Sequence, residues 1–174
     1  RNFINKIKSI IRNLFFITAL TCGFSPASAA GEIHSIPNRI VSLGPILTET
    51  VYLLGANEKL IANTTYCVIP PEARLKEKIG TLTHMNVEKI LSLRPDLVLA
   101  NELTKQKQID ALESLNIRVV KFENPKTFFD VCRMTLRLGE ILGKGQEAKQ
   151  VVEKARKEMD AVIEKTKKLP RKRV

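Results

Sequence analysis

The sequence predicts an α/β fold: a parallel-sheet lobe with flanking helices, followed by one long linker helix. Three observations carry this reading. Short apolar runs recur at 39–43, 60–63, 97–100 and 118–122, each of strand length and rich in Val, Ile and Leu. Between them lie segments whose apolar residues return at three- and four-residue spacing. Strands that alternate with helices build a parallel sheet covered on both faces.

The elements follow in order. Strand 39–43 is broken by Gly44-Pro45, and 47–54 reads as a helix closed by Gly55-Ala56-Asn57. Strand 60–63 leads into a loop, 64–71, where Pro70-Pro71 forbids regular structure, and 72–78 reads as a helical turn. Asn86 is a suitable N-cap for a helix over 87–93, with Val87, Ile90, Leu91 and Leu93 on one face, and Arg94-Pro95-Asp96 stops it. Strand 97–100 is followed by a helix over 105–115 with Ile109 and Leu112 inward. The fourth strand, 118–122, precedes a helix over 127–142 closed by Gly143. From 146 to 169, Val151, Val152, Ala155, Met159, Val162 and Ile163 recur at helical spacing in a Glu-, Lys- and Ala-rich background, giving an amphipathic helix about 35 Å long that ends at Pro170.

A parallel sheet binds ligands at the carboxyl ends of its strands. Here those ends are Gly44-Pro45, the 64–71 loop, 101–104 and 123–126, so a site is expected on those four loops.

The chain has 174 residues, 44% apolar and 27% charged, with a formal charge of +11. That charge sits at the ends. Residues 1–29 carry four basic residues and no acid, and residues 165–174 carry six, which leaves 19 basic against 18 acidic residues in the body. A nearly neutral body with two Tyr and no Trp lacks the basic stripe and stacking surface of a nucleic-acid binder.

Residues 1–29 read as a secretory signal: a basic start, an apolar stretch from 14 to 24, and Ala27-Ser28-Ala29 at a cleavage spacing. The apolar run is about half of the roughly 20 residues that span a bilayer. Acylation at Cys22 is the second reading, which Ala19-Leu20-Thr21 fits poorly as a lipobox. The expected location is therefore periplasmic or secreted. Export leaves Cys67 and Cys132 in an oxidising compartment, either paired or as two separate thiols with Cys132 buried on its helix. The missing initiator Met and the break at Arg171-Lys-Arg-Val174 suggest a chain cut at both ends.

No phosphate-binding, dinucleotide, nucleophile-elbow, zinc-protease or paired-cysteine motif occurs, so no catalytic residue and no metal site is expected. His34 and His84 stand fifty residues apart. Glu49 and Glu88 each fall near an expected helix start, where the helix dipole favours a carboxylate without any catalysis.

The stretches Arg39-Ile-Val-Ser-Leu-Gly-Pro-Ile-Leu-Thr-Glu-Thr-Val-Tyr-Leu-Leu-Gly-Ala56 and Asn86-Val-Glu-Lys-Ile-Leu-Ser-Leu-Arg-Pro-Asp-Leu-Val-Leu-Ala100 resemble the amino-terminal lobe of periplasmic substrate-binding proteins of the cobalamin, siderophore and haem uptake class. The resemblance runs from about Arg39 to Val174 and includes Tyr66-Cys-Val-Ile-Pro-Pro71 and the 111–117 stretch. It implies a signal peptide over 1–29, a ligand-binding lobe over 38–145, an interlobe helix over 146–169 and the start of a second α/β lobe, otherwise absent, over 170–174. A monomer with no cofactor of its own is implied, capturing a corrinoid, ferric siderophore or haem and delivering it to an ATP-driven importer. Gly44, Pro45 and Thr48 match the first loop lining the cleft, and Tyr66 takes the position where cobalamin-binding relatives stack a Tyr. Cys67, Leu82 and His84 fall among the ligand-facing positions, although the cobalamin pattern has Trp where Leu82 stands and Gly where His84 stands. Glu88 matches the carboxylate that docks on Arg residues of the permease. Tyr66 or His84 as an axial ligand is the haem alternative, and an exported enzyme with its catalytic residues in the absent half is the alternative from another class.

Overall fold

In the computed structural model, the described residues are 35–81 and 84–167. The expectations placed on residues 1–29, Cys22, His34, Leu82, the end of the long helix at 168–169 and 170–174 lie outside them. Five strands, β1 (Ile40–Ser42), β2 (Leu60–Asn63), β3 (Glu77–Lys78), β4 (Leu97–Asn101) and β5 (Val119–Phe122), form one sheet in the order β3-β2-β1-β4-β5. Every pairing is parallel. The helices are α1 (Pro45–Leu53), α2 (Val87–Ser92), α3 (Gln106–Glu113), α4 (Phe128–Leu142) and α5 (Gly145–Thr166), with 3-10 turns at Asn57–Lys59 and Pro71–Leu75.

Period-two alternation on the central strands divides the core into two halves. Ile40, Leu97 and Leu99 turn to one face, where they meet Leu47 and Val51 of α1 and Met134, Leu138 and Leu142 of α4. Val41, Val98 and Ala100 turn to the other and meet Ile90 of α2 and Ile109 and Leu112 of α3. Both faces of β1 and β4 are fully enclosed, as strands with no polar alternation require.

The helix boundaries have local causes. Asn86 Oδ1 accepts from the Lys89 N–H at 2.9 Å and caps α2. Thr127 and Asp130 form a capping box on α4: Thr127 Oγ1 accepts from the Asp130 N–H at 3.1 Å, and Asp130 Oδ2 accepts from the Thr127 N–H at 3.0 Å. At the amino end of the sheet, Asp96 accepts the N–H groups of Asn38 and Arg39 at 2.7 and 3.0 Å, and Arg39 Nη2 donates to the Leu93 carbonyl at 2.6 Å. The Arg39 and Arg94-Pro95-Asp96 positions thus tie the end of α2 to the starts of β1 and β4, on the opposite end of the lobe from any strand-end site.

α5, about 33 Å long at 1.5 Å per residue over its 22 residues, packs on α4 through Ala148, and Val152 one turn on is also buried. The contact depends on Gly139, since a Cβ there would stand 2.4 Å from Ala148 Cβ and 2.9 Å from the Lys144 carbonyl. The later apolar residues of α5, Met159, Val162 and Ile163, are exposed.

Two expectations are corrected. The four-strand sheet has a fifth member, and 72–78 is not one helical turn but a 3-10 turn ending at Leu75 followed by β3. Glu77-Lys78 carries no apolar signature; pairing with Ala62 and Asn63 of β2 makes it a strand, and a charged two-residue edge is invisible to periodicity.

Candidate functional site

Because all five strands run in one direction, their carboxyl ends lie at one end of the sheet, and the four loops expected to form a site are brought together there. β3 adds a fifth, the turn from Ile79 to Met85. The chain order reverses between β1 and β4, which lie side by side, so Gly44-Pro45 and the 101–104 loop flank the switch point where open α/β sheets take ligands.

The first two loops are joined from beneath. Thr48 Oγ1 lies 2.9 Å from Ser42 Oγ and 3.1 Å from Cys67 Sγ, and Thr64 Oγ1 lies 3.2 Å from the same sulfur. Thr48, Thr64 and Cys67 are each fully buried. Thr48 and Cys67, expected among the ligand-contacting residues, are thus buried beneath the loops, where a small cluster of hydroxyls and one thiol fastens α1 to the loop after β2. Cys67 and Cys132 are both buried, free thiols.

A second anchor holds the same loop. Lys78 Nζ donates to Asn63 Oδ1 at 2.6 Å, to the Ala73 carbonyl at 2.9 Å and to the Cys67 carbonyl at 3.3 Å. Asn63 Nδ2 also donates to the Ala73 carbonyl, at 2.9 Å. Burial pushes the Lys78 amine below the ordinary lysine range, opposed by the nearby Cys67. The sequence offered no sign of this role, because both residues gain it from strand pairing.

Above these anchors the loop turns apolar groups outward: Tyr66 is 57% exposed, with Val68 and Ile69 exposed beside it. Pro45 is half-buried and Gly44 buried. His84 is exposed on the turn after β3, where its N–H donates to Thr81 Oγ1 at 3.1 Å and its carbonyl accepts from the Thr81 N–H at 3.0 Å. Gly80 makes that turn possible: its φ is +113°, and a Cβ would stand 2.3 Å from the His84 carbonyl oxygen. Glu88 is exposed in the first turn of α2, whereas Glu49 lies beyond the first turn of α1 and is half-buried.

At the other side, an open depression is lined by Glu102, the 121–126 segment and Asp130, Arg133, Met134 and Arg137 of α4. Arg137 lies over the Phe122 ring at 4.9 Å, and Arg133 pairs with Asp130 at 2.5 Å. Among the described residues no group of His, Cys, Asp and Glu side chains could hold a metal ion, and no helix is long and apolar enough to cross a membrane.

The sequence pattern of the periplasmic binding protein family matches residues 40–174. An uncharacterised ABC transporter substrate-binding lipoprotein of Bacillus subtilis, YvrC, is 36% identical over 138 residues, 78% of this chain and 44% of that protein. The vitamin B12-binding protein of Pectobacterium atrosepticum is 37% identical over 99 residues, 56% of this chain and 35% of that protein. Among solved structures, the periplasmic vitamin B12-binding protein of Vibrio cholerae superposes with a TM-score of 0.68 at 25% identity, over 76% of this chain and 52% of that one. A periplasmic haem-binding protein of Pseudomonas aeruginosa gives 0.69 at 25% identity, over 75% and 50%. The chain spans less than half the length of these curated relatives and about half of these solved chains.

Proposed function

The chain belongs to the periplasmic binding protein family, and from that premise we propose that it is the ligand-binding lobe of an exported protein that captures a metal chelate and delivers it to an ATP-driven membrane importer. The chelate belongs to the corrinoid, ferric siderophore or haem class. The observation that carries this reading is the carboxyl-end surface, where Tyr66, Val68 and Ile69 stand exposed on a loop held from below by Lys78, Asn63 and the Cys67 cluster. An apolar patch on a fixed support suits a large, flat ligand, and a Tyr adds a polar tip to an apolar face.

In this reading Gly44 and Pro45 shape the cleft floor at the switch point, Tyr66 contacts the chelate, and His84 stands at the rim. Thr48 and Cys67 act indirectly, by fixing the loop that carries Tyr66. No bond is made or broken. Glu88, exposed at the start of α2 near the same end of the sheet, docks on a basic surface of the permease and steers the encounter more than it adds affinity. α5 serves as the interlobe helix, and the ligand is enclosed when a second lobe closes over this surface. The protein works as a single exported chain, released by cleavage near Ala29.

The test is the absorption spectrum of the full-length secreted protein purified from its native host. A bound corrinoid, haem or ferric siderophore gives a visible band, and Tyr66→Ala weakens its retention while leaving the fold intact. A protein that stays colourless after incubation with all three overturns the proposal.

A further inference from the structure

The switch point between β1 and β4 holds a hydrogen-bond donor that no contact within the lobe uses. Asn101 is the last residue of β4, in register with Phe122 of β5, and is only 5% exposed. Its side-chain oxygen is engaged, accepting from the Leu103 N–H at 3.0 Å and from Thr104 Oγ1 at 3.2 Å. Because a backbone N–H can only donate, these bonds fix which way the carboxamide faces. Among the described residues no acceptor meets the nitrogen, Nδ2. Nor is it sealed in: the enclosed side-chain atoms without a partner are Tyr52 Oη and Gln108 Oε1, so the small exposed remainder of Asn101 includes this nitrogen.

Gly44 keeps it open. A Cβ at that position would stand 3.0 Å from Asn101 Nδ2, tighter than the roughly 3.5 Å at which such atoms pack. The Gly44 backbone is extended, with φ −157° and ψ 144°, a conformation open to any residue, so what glycine provides here is room beside the amide. A polar group this deeply set is costly to leave unpaired, and this one is oriented by two hydrogen bonds at the place where open α/β sheets take ligands.

The donor is uncharged. A carboxamide carries nothing to offset the desolvation of a carboxylate, and the next residue in the chain, Glu102, is itself a carboxylate, so the matching group is a neutral carbonyl oxygen. We propose that Asn101 Nδ2, kept accessible by Gly44, donates to an amide carbonyl oxygen at the edge of the captured chelate and so selects chelates edged with carboxamides or peptide groups over rings edged with carboxylates. The inference rests on the chelate-capture reading above and deepens it by naming a specificity-determining donor.

The test uses the full-length protein with three probes: cyanocobalamin, whose corrin edge carries carboxamides; ferrichrome, a ferric hydroxamate built on a peptide ring; and haem, whose edge carries carboxylates. Cyanocobalamin or ferrichrome is expected to bind, and which of the two does so identifies the source of the carbonyl. N101D keeps the oxygen that holds Leu103 and Thr104 and replaces only the donor, whereas G44A leaves Asn101 intact and sets a methyl group against Nδ2. Each should weaken the bound probe by about tenfold or more, while K149Q, an exposed charge on α5, changes nothing. A direct reading needs the parent protein alone: in nitrogen-15 spectra the Asn101 side-chain amide pair shifts and gains protection from solvent exchange when cyanocobalamin or gallium-loaded ferrichrome is bound. An unmoved pair at saturation, or affinity insensitive to both variants, overturns the proposal. Binding of haem alone overturns it and leaves chelate capture standing. Failure of all three probes to bind overturns chelate capture and the donor role with it.

Discussion

The ammonium of Lys78 and the side-chain oxygen of Asn63, adjacent in the β2–β3 pair, lie 2.6 Å apart, and together they converge on the carbonyl of Ala73. An edge strand of two residues thereby becomes the foundation of the loop that presents Tyr66.

Removing that ammonium should loosen the loop ahead of the lobe. Lys78→Met keeps the length and apolar stem and deletes the hydrogen bonds to Asn63, Ala73 and Cys67. Hydrogen bonds to a charged group contribute about 1.5–3 kcal/mol each at most, and partial solvation of the site places the net loss near the lower figure. Urea unfolding should show a loss of that order. Hydrogen exchange should accelerate first at the amides of 64–75, and uniform acceleration across β1 and β4 instead would contradict a local anchoring role.

The approach of α5 to α4 makes a sharper prediction. Gly139→Val forces a branched side chain into the 2.4 Å gap to Ala148 Cβ, and overpacking of this kind costs about 1–3 kcal/mol. Pairing it with Ala148→Gly should recover part of the loss, because the two positions share one contact. A double variant as unstable as the sum of its parts would show that the clash is with the Lys144 carbonyl, 2.9 Å away, instead.

The capping box of α4 predicts an acid dependence. The Asp130 carboxyl is held below the ordinary aspartate range, first by the Thr127 hydroxyl, then by the N–H groups of Lys126 and Thr127 and the charge of Arg133. A carboxylate lowered on folding contributes stability that is complete above its unfolded value, near pH 3.9, and disappears as pH falls through the folded value. The parent should therefore be more stable than Asp130→Asn at pH 6, and the gap should narrow below about pH 4. Denaturation of both proteins across pH 2–7 checks the sign, and a gap that widens in acid would contradict it.

Much of the lobe was legible before any coordinates. Strand Leu60–Asn63 falls on its expected residues, Asn86 and Thr127 cap the expected helices, and Gly143 closes α4. These features are local: a cap needs one oxygen near one N–H, and a strand buried on both faces needs an unbroken apolar run. The loops expected to build a site also gather where a parallel sheet must put them. The fates of Thr48 and Cys67 were not legible, because a Thr or Cys at a strand-end loop can face outward or inward, and only the packing of α1 against the loop after β2 turned both inward.

The amino-acid sequence by itself determined the α/β class and the order of the main helices and strands, since each depends on periodicity and breakers within one segment. Only the tertiary structure decided that Glu77-Lys78 is a strand, that Lys78 anchors a loop and that Arg137 stacks on Phe122. These are contacts between segments whose partners are chosen by burial and pairing across the sheet, and no periodicity within either segment encodes them.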